Sequence, residues 1–355
     1  MSIHGAASAD ATLVQDGARV YDAVLVVSYG GPEGPDDVLP FLENATRGHP
    51  VPRERLVEVA EHYTHFGGVS PINAQNRALV AALRHELATH GPALPVYLGN
   101  RNWHPYVVDT VRQMRDDRVH RAIALVTSAF SSYSGCRQYR EDIARALEAV
   151  GAGAPEVDKL RVFFNHPGFI AANAANLAEA LGRVPPERRS GARVVFTAHS
   201  IPLAMARASA YEVQLKEASR LVAEAAGVQS WDLVYQSRSG PPQIPWLEPD
   251  ICDHLEALAR SSLRDVVVLP IGFLSDHMEV LYDLDTEGRK KAEELGLTLM
   301  RARTVGTAPA YVAMLRELIQ ERMVDRPDRR VLGPLGPSHD ICPVDCCKDG
   351  RGVGG

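Results

Sequence analysis

A histidine ends one of the apolar runs of the chain, where it could do acid–base chemistry or bind a metal ion. His199 follows the β-branched run Val194–Thr197 and precedes Ser200-Ile201-Pro202. Imidazole is the side chain whose ordinary pKa lies closest to neutral pH, so a neutral His199 could accept a proton or bind a divalent cation. The alternative interpretation is a hydrogen-bonded loop histidine, which is more common for an isolated histidine.

A row of carboxylates follows another apolar run, Val266–Pro270. If the segment beyond this run is helical, Glu279, Asp283 and Glu287 fall at positions i, i+4 and i+8 and line one face. Like charges at this spacing repel, so the row costs stability unless a cation lies nearby. A solvated helix face is the usual explanation, but the position directly after a buried strand favours a metal path or a proton relay.

The cysteines form the third group of reactive side chains. Three of the five, Cys342, Cys346 and Cys347, stand within six positions near the end of the chain. They could form a disulfide, a zinc site, or three ligands of an iron–sulfur cluster that needs a fourth. Cys136, in a polar loop, is the natural fourth ligand, whereas Cys252 begins a predicted helix and is expected to pack. This distribution does not suit a secreted disulfide scaffold and indicates a cytosolic protein.

Two glycine-containing loops have the character of a pocket lining. Ser28-Tyr29-Gly30-Gly31-Pro32 follows the apolar run Ala23–Val27, and Gly67-Gly68-Val69-Ser70-Pro71-Ile72 lies further along the chain. Glycines would let a large flat ligand approach the backbone closely, although a simple strand-to-loop turn is the alternative. The first of these loops is not a dinucleotide-binding fingerprint, because the G-x-G-x-x-G spacing is missing.

The elements that must position these residues alternate between strands and helices. Short continuous apolar runs are typical of parallel strands buried on both faces, and the stretches between them have helical periodicity. We therefore predict an α/β fold with two similar domains, in which the chemistry gathers at the carboxyl ends of the strands. The predicted strands are Ala23–Val27, Pro95–Leu98, Ala122–Val126, Val194–Thr197, Leu233–Gln236 and Val266–Pro270, and the clearest helices are Asn76–His90, Arg140–Val150, Asn173–Leu181, Ala208–Ala226 and Ala308–Met323.

Length and composition agree with such a protein. The chain has 355 residues, of which 45% are hydrophobic and 23% charged, and a net charge of -6, which excludes a protein built around nucleic-acid binding. We divide it into a flexible leader (1–20), two α/β domains (21–170 and 171–307), a closing helix (308–330) and an irregular cysteine-bearing tail (331–355). The leader does not read as a signal peptide, and no apolar run reaches the ~18 residues of a membrane span.

Taken together, these motifs resemble ferrochelatase from about Ala23 to Met323. The resemblance implies two Rossmann-like domains with parallel sheets flanked by helices, a porphyrin cleft between them, and insertion of Fe²⁺ into a porphyrin. The matching motifs are Ser28-Tyr29-Gly30-Gly31-Pro32, Gly67-Gly68-Val69-Ser70-Pro71-Ile72, Phe196-Thr197-Ala198-His199-Ser200-Ile201-Pro202 and Ser275-Asp276-His277-Met278-Glu279-Val280-Leu281-Tyr282-Asp283.

The resemblance also implies roles for individual residues of the metal-handling group. His199 falls on the active-site histidine of the family, and Glu279 falls on a glutamate that faces it across the porphyrin. Asp283 and Glu287 fall on an outer acidic row. Tyr29 falls on a position that is tyrosine in the Gram-positive enzymes, where it can approach the metal of the bound porphyrin.

The propionate contacts are implied in the same way. Ser70 and Tyr139 resemble residues that hold substrate propionates. Some relatives carry a propionate-binding arginine at a position that aligns here with Thr46, beside Arg47. This departure from the family pattern leaves the contacts on that side of the substrate undefined by the resemblance.

The tail and the tyrosine loop refine the expected activity. The tail resembles that of actinobacterial ferrochelatases with a [2Fe–2S] cluster, which implies Cys136, Cys342, Cys346 and Cys347 as ligands. Together with Tyr29 it favours coproporphyrin III as the substrate, giving a cytoplasmic enzyme with transient contacts to neighbouring haem-pathway enzymes. The alternatives are a protoporphyrin IX ferrochelatase, another tetrapyrrole chelatase, and a non-catalytic haem-binding or iron–sulfur sensing protein.

Overall fold

The computed structural model describes residues 20–48 and 51–350, and this part of the chain contains two four-stranded parallel sheets. All six predicted strands are present, and each sheet gains a short fourth strand. The first sheet consists of β1 (Ala23–Ser28), β2 (Val96–Asn100), β3 (Arg121–Val126) and β4 (Glu156–Lys159), and the second of β5 (Arg193–His199), β6 (Trp231–Gln236), β7 (Asp265–Leu269) and β8 (Thr298–Arg301).

Helices connect these strands, which confirms the predicted α/β class. The five predicted helices are present, with ends that differ by at most six residues. The α-helices are α1 (Val38–Ala45), α2 (Arg53–His65), α3 (Ile72–His90), α4 (Val107–Asp116), α5 (Gln138–Val150), α6 (Pro167–Gly182), α7 (Pro186–Arg189), α8 (Leu203–Arg207), α9 (Tyr211–Ala225), α10 (Ile251–Ala259), α11 (Met278–Val280), α12 (Arg289–Glu294) and α13 (Pro309–Met323); a 3-10 turn (Pro35–Asp37) and two π-helical segments (Tyr133–Arg137 and Leu281–Gly288) complete the set.

The two sheets have the same strand order, β2-β1-β3-β4 and β6-β5-β7-β8. In each, the chain leaves a central strand for one neighbour and then crosses to the other side, so a topological switch point lies at the carboxyl end of β1 and of β5. Ligands of such sheets bind at this point. Tyr29 directly follows β1, and His199 is the last residue of β5 and pairs with Gln236 of β6.

One continuous apolar core includes residues of both sheets, such as Val24 of β1 and Phe196 of β5. Helix α13 packs on α6 and also on α3, where Arg316 forms an ion pair of 2.8 Å with Glu86. Helix α6 begins at Pro167 and therefore crosses the domain boundary predicted at 170. The predicted division into domains stays a prediction.

The tail from 331 to 350 has neither helix nor strand, as expected, and it is fastened to the first half of the chain. Asn165 donates through Nδ2 to the carbonyls of Leu332 (3.2 Å) and Gly336 (2.9 Å). The predicted leader lies almost entirely outside the described residues, as do the last five residues of the tail. Among the described residues, no helix is long and apolar enough to cross a membrane.

Candidate functional site

His199 and Glu279 meet at the carboxyl end of β5. The Nε2 atom of His199 lies 3.5 Å from Oε2 of Glu279, and the two side chains are 30% and 47% exposed. The backbone carbonyl of Ser200 accepts from Nδ1 of His199, which directs Nε2 toward the carboxylate. In the ligand-free chain the two side chains are in direct contact, and the expectation that they face each other across a bound porphyrin stays a prediction.

The pair holds opposite charges at neutral pH. Burial acts to lower the pKa of His199, but the Glu279 carboxylate outweighs it and raises this pKa to about 9. Burial acts to raise the pKa of Glu279, but the imidazolium lowers it to about 2. With its pKa raised in this way, His199 must lose a proton before it can act as the base that the sequence suggests.

Two members of the acidic row, Asp283 and Glu287, lie on a π-helical segment instead of the regular α-helix that their spacing predicts. Helix α11 runs into the π-helical segment Leu281–Gly288, whose turns are wider than those of an α-helix. Gln236 on the neighbouring strand end donates to the carbonyl of Glu279 at 2.8 Å and to Oδ2 of Asp283 at 3.4 Å. Segments of this kind occur frequently at functional sites.

A serine that the sequence did not single out fixes one carboxylate of the row. Ser237 has a φ of 63°, an uncommon conformation for a non-glycine residue, and its hydroxyl donates to Oδ2 of Asp283. Burial, together with repulsion by Glu279 and Glu287, raises the pKa of Asp283 to about 7, although the Ser237 bond acts in the opposite direction. Asp283 is therefore poised to change its charge near neutral pH.

The row extends one carboxylate further than predicted. Burial and the neighbouring Asp250 both raise the pKa of Glu287. Asp250 caps α10 by accepting from the backbone N–H of Cys252 at 2.8 Å, and it lies 37 positions from Glu287 in the sequence. No local pattern links the two residues, so sequence reasoning missed Asp250. Cys252 is half-buried and packs against the apolar core, as expected.

Aromatic side chains line the opposite wall. Tyr29 is 41% exposed and lies edge-on to the buried Phe41, with 6.2 Å between ring centroids. Tyr63 and Trp103 also pack on Phe41. Burial and the Glu279 carboxylate both raise the pKa of the Tyr29 phenol, so Tyr29 lies close enough to the His199–Glu279 pair for the charge of Glu279 to act on it. We call the space between Tyr29 and the His199–Glu279 pair the cleft.

Two side-chain contacts join the first half of the chain to the second half at the cleft. The rings of His62 on α2 and Tyr282 in the π-helical segment stack with 3.7 Å between centroids and 7° between planes. The backbone N–H of Asp276 donates to Oε1 of Gln75 on α3 at 2.9 Å. The first and second halves of the chain therefore both contribute to the rim of the cleft.

The residues predicted to bind propionates are not all open to the cleft. Ser70 is buried, and Tyr139 is 5% exposed beneath the guanidinium of Arg101, which lies 4.7 Å from its ring centroid. Arg101 also lies 5.7 Å from the Tyr29 ring, so it links the two tyrosines. Thr46 donates to the carbonyl of Leu42 at 2.7 Å, an internal contact of its own helix end.

The glycines of the first loop serve protein packing. A Cβ on Gly31 would lie 2.7 Å from Cβ of Ser70 and 2.8 Å from Cγ2 of Ile72. Gly30 has a φ of 81°, which disfavours any residue with a side chain, and a Cβ there would meet Asn100. Both glycines therefore hold the loop against its neighbours, and the backbone approach by a flat ligand stays a prediction.

The four predicted cluster ligands converge on one spot beside α5. The Cys136 sulfur contacts those of Cys342 and Cys347, and the sulfurs of Cys346 and Cys347 are 3.4 Å apart. Cys136 lies in the π-helical turn Tyr133–Arg137 and not in a loop as expected. All four thiols are free of disulfides.

Two arginines and a histidine complete this region. Arg137 donates to the carbonyls of Val344 and Cys346 at 3.1 and 3.2 Å, and Arg140 donates to that of Cys342 at 3.3 Å. These bonds hold the tail against the start of α5. Sequence reasoning missed His339, whose Nε2 lies 3.7 Å from Sγ of Cys346. The signal that could have found it is its place three residues before Cys342.

Comparison with known proteins decides the family, because a family model described as ferrochelatase matches residues 21–323. The chain belongs to the ferrochelatase family. It is 57% identical to a ferrochelatase of Rhodopirellula baltica over 92% of this chain and 93% of the relative. It is 54% identical to a coproporphyrin III ferrochelatase of Streptomyces griseus and 55% identical to one of Mycolicibacterium smegmatis, over 92% and 88% of this chain and 93% of each relative.

Solved structures support the fold of this ferrochelatase family member. SirB from Bacillus subtilis with Fe³⁺ aligns over 86% of this chain and 96% of its own with a TM-score of 0.52. A SirB structure in complex with cobalt, from Bacillus subtilis subspecies spizizenii, aligns with a TM-score of 0.51. The identities are only 13% and 11%, so these structures show a shared chelatase-like fold.

Proposed function

We propose that this chain inserts Fe²⁺ into coproporphyrin III in haem biosynthesis. The observation that carries this proposal is the His199–Glu279 pair, 3.5 Å apart and partly open to a cleft whose other wall is Tyr29. The proposal for the substrate draws support from the relatives named as coproporphyrin III ferrochelatases, which are up to 55% identical over most of the chain.

The reaction exchanges two pyrrole N–H protons of the porphyrin for one Fe²⁺ ion, and the two protons pass to the protein and then to solvent. Nitrogen and carboxylate donors suit a ferrous ion that must be released into the macrocycle. In our account, the Glu279 carboxylate attracts the incoming cation. The carboxylate then stabilises the protonated form of His199 less strongly, so His199 can release its proton. The freed Nε2 then accepts a pyrrole proton or contacts the metal.

The acidic row supplies the route between solvent and the pair. Asp283, with its pKa raised to about 7, can exist in both charge states near neutral pH. It can therefore take up a proton that leaves the pair or attract a partly dehydrated Fe²⁺ ion. Glu287 and Asp250 continue the row away from His199, and we propose them as the outer end of this path.

An anaerobic assay with Fe²⁺ tests the substrate. Purified protein should metallate coproporphyrin III faster than protoporphyrin IX at equal concentrations, followed by the loss of free-base porphyrin fluorescence. Equal rates, or a preference for protoporphyrin IX, would contradict the choice of coproporphyrin III. Failure to metallate either porphyrin would contradict iron insertion as a whole.

We also propose that Cys136, Cys342, Cys346 and Cys347 hold a [2Fe–2S] cluster. The support is the convergence of four thiols from two distant segments, two of them nearly buried at 5% and 4% exposure, which fits a resident group with sulfur ligands. Such a cluster would fasten the tail to α5, and metallation needs no electron transfer from it. Anaerobically purified protein should be brown and contain iron and acid-labile sulfide; a colourless preparation without sulfide would contradict the cluster.

We further propose a cytoplasmic enzyme that contacts neighbouring haem-pathway enzymes transiently. Coproporphyrin III carries four propionates and needs no membrane to reach the cleft. Fractionation of source cells should place the protein in the supernatant after removal of membranes. Recovery in the membrane pellet after a high-salt wash would contradict this localisation.

A further inference from the structure

A buried arginine binds two carboxylates that flank Glu279 in the sequence. Arg301 is the last residue of β8, and its side chain is only 13% exposed. Its Nε and Nη2 atoms donate to the two carboxylate oxygens of Asp285 at 2.8 to 3.0 Å, and its Nη1 donates to Oδ1 of Asp276 at 3.0 Å. We call Arg301, Asp276 and Asp285 the ion cluster. The mechanism proposed above uses none of these three side chains.

The ion cluster holds the chain on both sides of Glu279. Asp276 stands three positions before Glu279 and directly precedes His277, whose Nδ1 accepts from the backbone N–H of Glu279 at 3.3 Å. Asp285 lies in the π-helical segment, six positions after Glu279 and two after Asp283. One guanidinium therefore connects the start of this segment to its π-helical turns, and the two reactive carboxylates lie between the connected points.

Further contacts fix the ion cluster within the fold. The hydroxyl of Thr304 donates to Oδ1 of Asp276 at 3.3 Å, and the backbone N–H of Asp276 donates to Gln75 of α3. Arg183 donates to the backbone carbonyl of Arg301. The ion cluster thus connects the segment around Glu279 to the first half of the chain through Gln75 and to the second sheet through β8.

The two carboxylates of the ion cluster depend on the guanidinium that they share. Asp276 and Asp285 are both mostly buried, and a buried carboxylate that loses its cation is strongly destabilised. The two like charges also repel each other once the cation is removed. Without Arg301, the two ends of the segment would therefore separate. Because π-helical turns are rare, the same loss would let the segment relax toward an α-helix and rotate Asp283 relative to Glu279.

We propose that Arg301 is a positioning residue for iron insertion, which holds Glu279 and Asp283 in place through Asp276 and Asp285. This role rests on the proposed insertion of Fe²⁺ and extends it to a side chain that acts only through the carboxylates it binds. A displacement of reacting groups by about 1 Å can cost about 100-fold in rate, so the loss of Arg301 should be visible in kcat.

Steady-state kinetics of anaerobic iron insertion tests the positioning role. Arg301→Gln should lower kcat at least about tenfold, with KM for coproporphyrin III within a few-fold of the parent. Arg301→Lys keeps one positive charge but lacks the planar fork that spans both carboxylates, so it should recover only part of kcat. Arg303→Gln is the matched control and should insert iron at the parent rate, because Arg303 is 71% exposed and pairs with the exposed Glu179.

The charge of Arg301 by itself predicts a different result. Removal of a cation leaves the region of the cleft more negative, which favours the capture of Fe²⁺ and lowers KM for Fe²⁺. A lower KM for Fe²⁺ with an unchanged kcat in Arg301→Gln would therefore overturn the proposal. An unchanged kcat with unchanged KM values would overturn it as well.

Hydrogen–deuterium exchange tests the ion cluster without a reaction. In Arg301→Gln, the amides of residues 276–288 should exchange at least about tenfold faster than in the parent, whereas those of β5 should exchange alike. Equal exchange of 276–288 in the two proteins would overturn the proposal. If Arg301→Gln does not fold, Asp285→Asn removes one carboxylate charge of the ion cluster and carries the same expectations. A parent protein that fails to insert Fe²⁺ would contradict the proposed function, and the exchange comparison would still show whether Arg301 holds the segment.

Discussion

The cleft and the cysteine region both bring metal-binding side chains together, but they differ in donor type and in burial. The cleft offers nitrogen and oxygen through His199 and Glu279, which are 30% and 47% exposed. The cysteine region offers four sulfurs, of which those of Cys136 and Cys347 lie in residues only 5% and 4% exposed. Open hard donors suit an ion that passes through, and covered soft donors suit a metal group that stays.

The two regions also differ in what holds them together. The cleft pair is an imidazolium–carboxylate contact at the end of a buried strand, with a strained serine and a π-helical segment beside it. The tail depends on arginine side chains that bind its carbonyls, because it has no regular secondary structure of its own. The variants that follow should therefore affect one region and spare the other.

The largest effect is expected in the cysteine region. Cys342→Ser removes one of four sulfur ligands and should abolish the visible absorbance of the purified protein. Cys252→Ser is the matched control, because this half-buried cysteine lies on α10 and packs against the apolar core of the second sheet. The absorbance of this variant should equal that of the parent. A brown Cys342→Ser protein with full iron and sulfide content would show that the cluster uses other ligands.

The next effect concerns the charge pair in the cleft. Glu279→Gln removes the carboxylate that contributes most to raising the pKa of His199, and burial, which lowers it, is then opposed only by the Ser200 carbonyl and Asp283. We expect this pKa to fall from about 9 to its ordinary value of 6.5 or below, as measured by NMR titration of the imidazole C–H signal. Iron insertion should fall about 100-fold. An unchanged pKa of His199 would contradict the pairing, and Glu287→Gln, further along the row, should leave this pKa nearly unchanged.

A tenfold effect is expected from the acidic row. Asp283 is neutral below its pKa of about 7 and anionic above it, so the insertion rate should rise with pH through this range. Asp283→Asn should lower the rate at pH 8 by about tenfold and remove this part of the pH dependence. A pH profile of Asp283→Asn that coincides with that of the parent would exclude Asp283 from the path.

The last expected effect is local to the tail. The double variant Arg137→Ala and Arg140→Ala loses the bonds to the carbonyls of the tail, which we value together at about 1–2 kcal/mol. Proteolytic cleavage within 331–350 should then accelerate by roughly 5–30-fold. Arg112→Ala on the exposed face of α4 is the control and should cleave at the parent rate. Equal rates for all three proteins would show that these bonds do not fasten the tail.

Sequence patterns located the buried strands well and the finer geometry of the site poorly. The six predicted strands carry short apolar runs, whereas β4 and β8 are short, half-exposed and partly polar, so they give no such signal. The spacing of the acidic residues predicts a regular helix where the π-helical segment lies, because an α-helix and a π-helix both place residues four apart near one another.

The side chains that complete the two regions come from distant parts of the chain. Ser237 reaches Asp283 only because its strand neighbours β5, and Asp250 joins the row through the position of α10. The 3.5 Å contact between His199 and Glu279 depends on how β5 and β7 end side by side. Sequence spacing carries none of this information, which is why the direct contact between His199 and Glu279 was not predicted.

The central claim is that His199 and Glu279 carry out iron insertion. The most direct measurement compares His199→Ala with the parent for both coproporphyrin III binding and anaerobic Fe²⁺ insertion in the same preparations. Our account predicts insertion at least about 100-fold slower, with porphyrin affinity within a few-fold of the parent and the colour of the cysteine region retained. A His199→Ala protein that inserts iron at the parent rate would contradict the account.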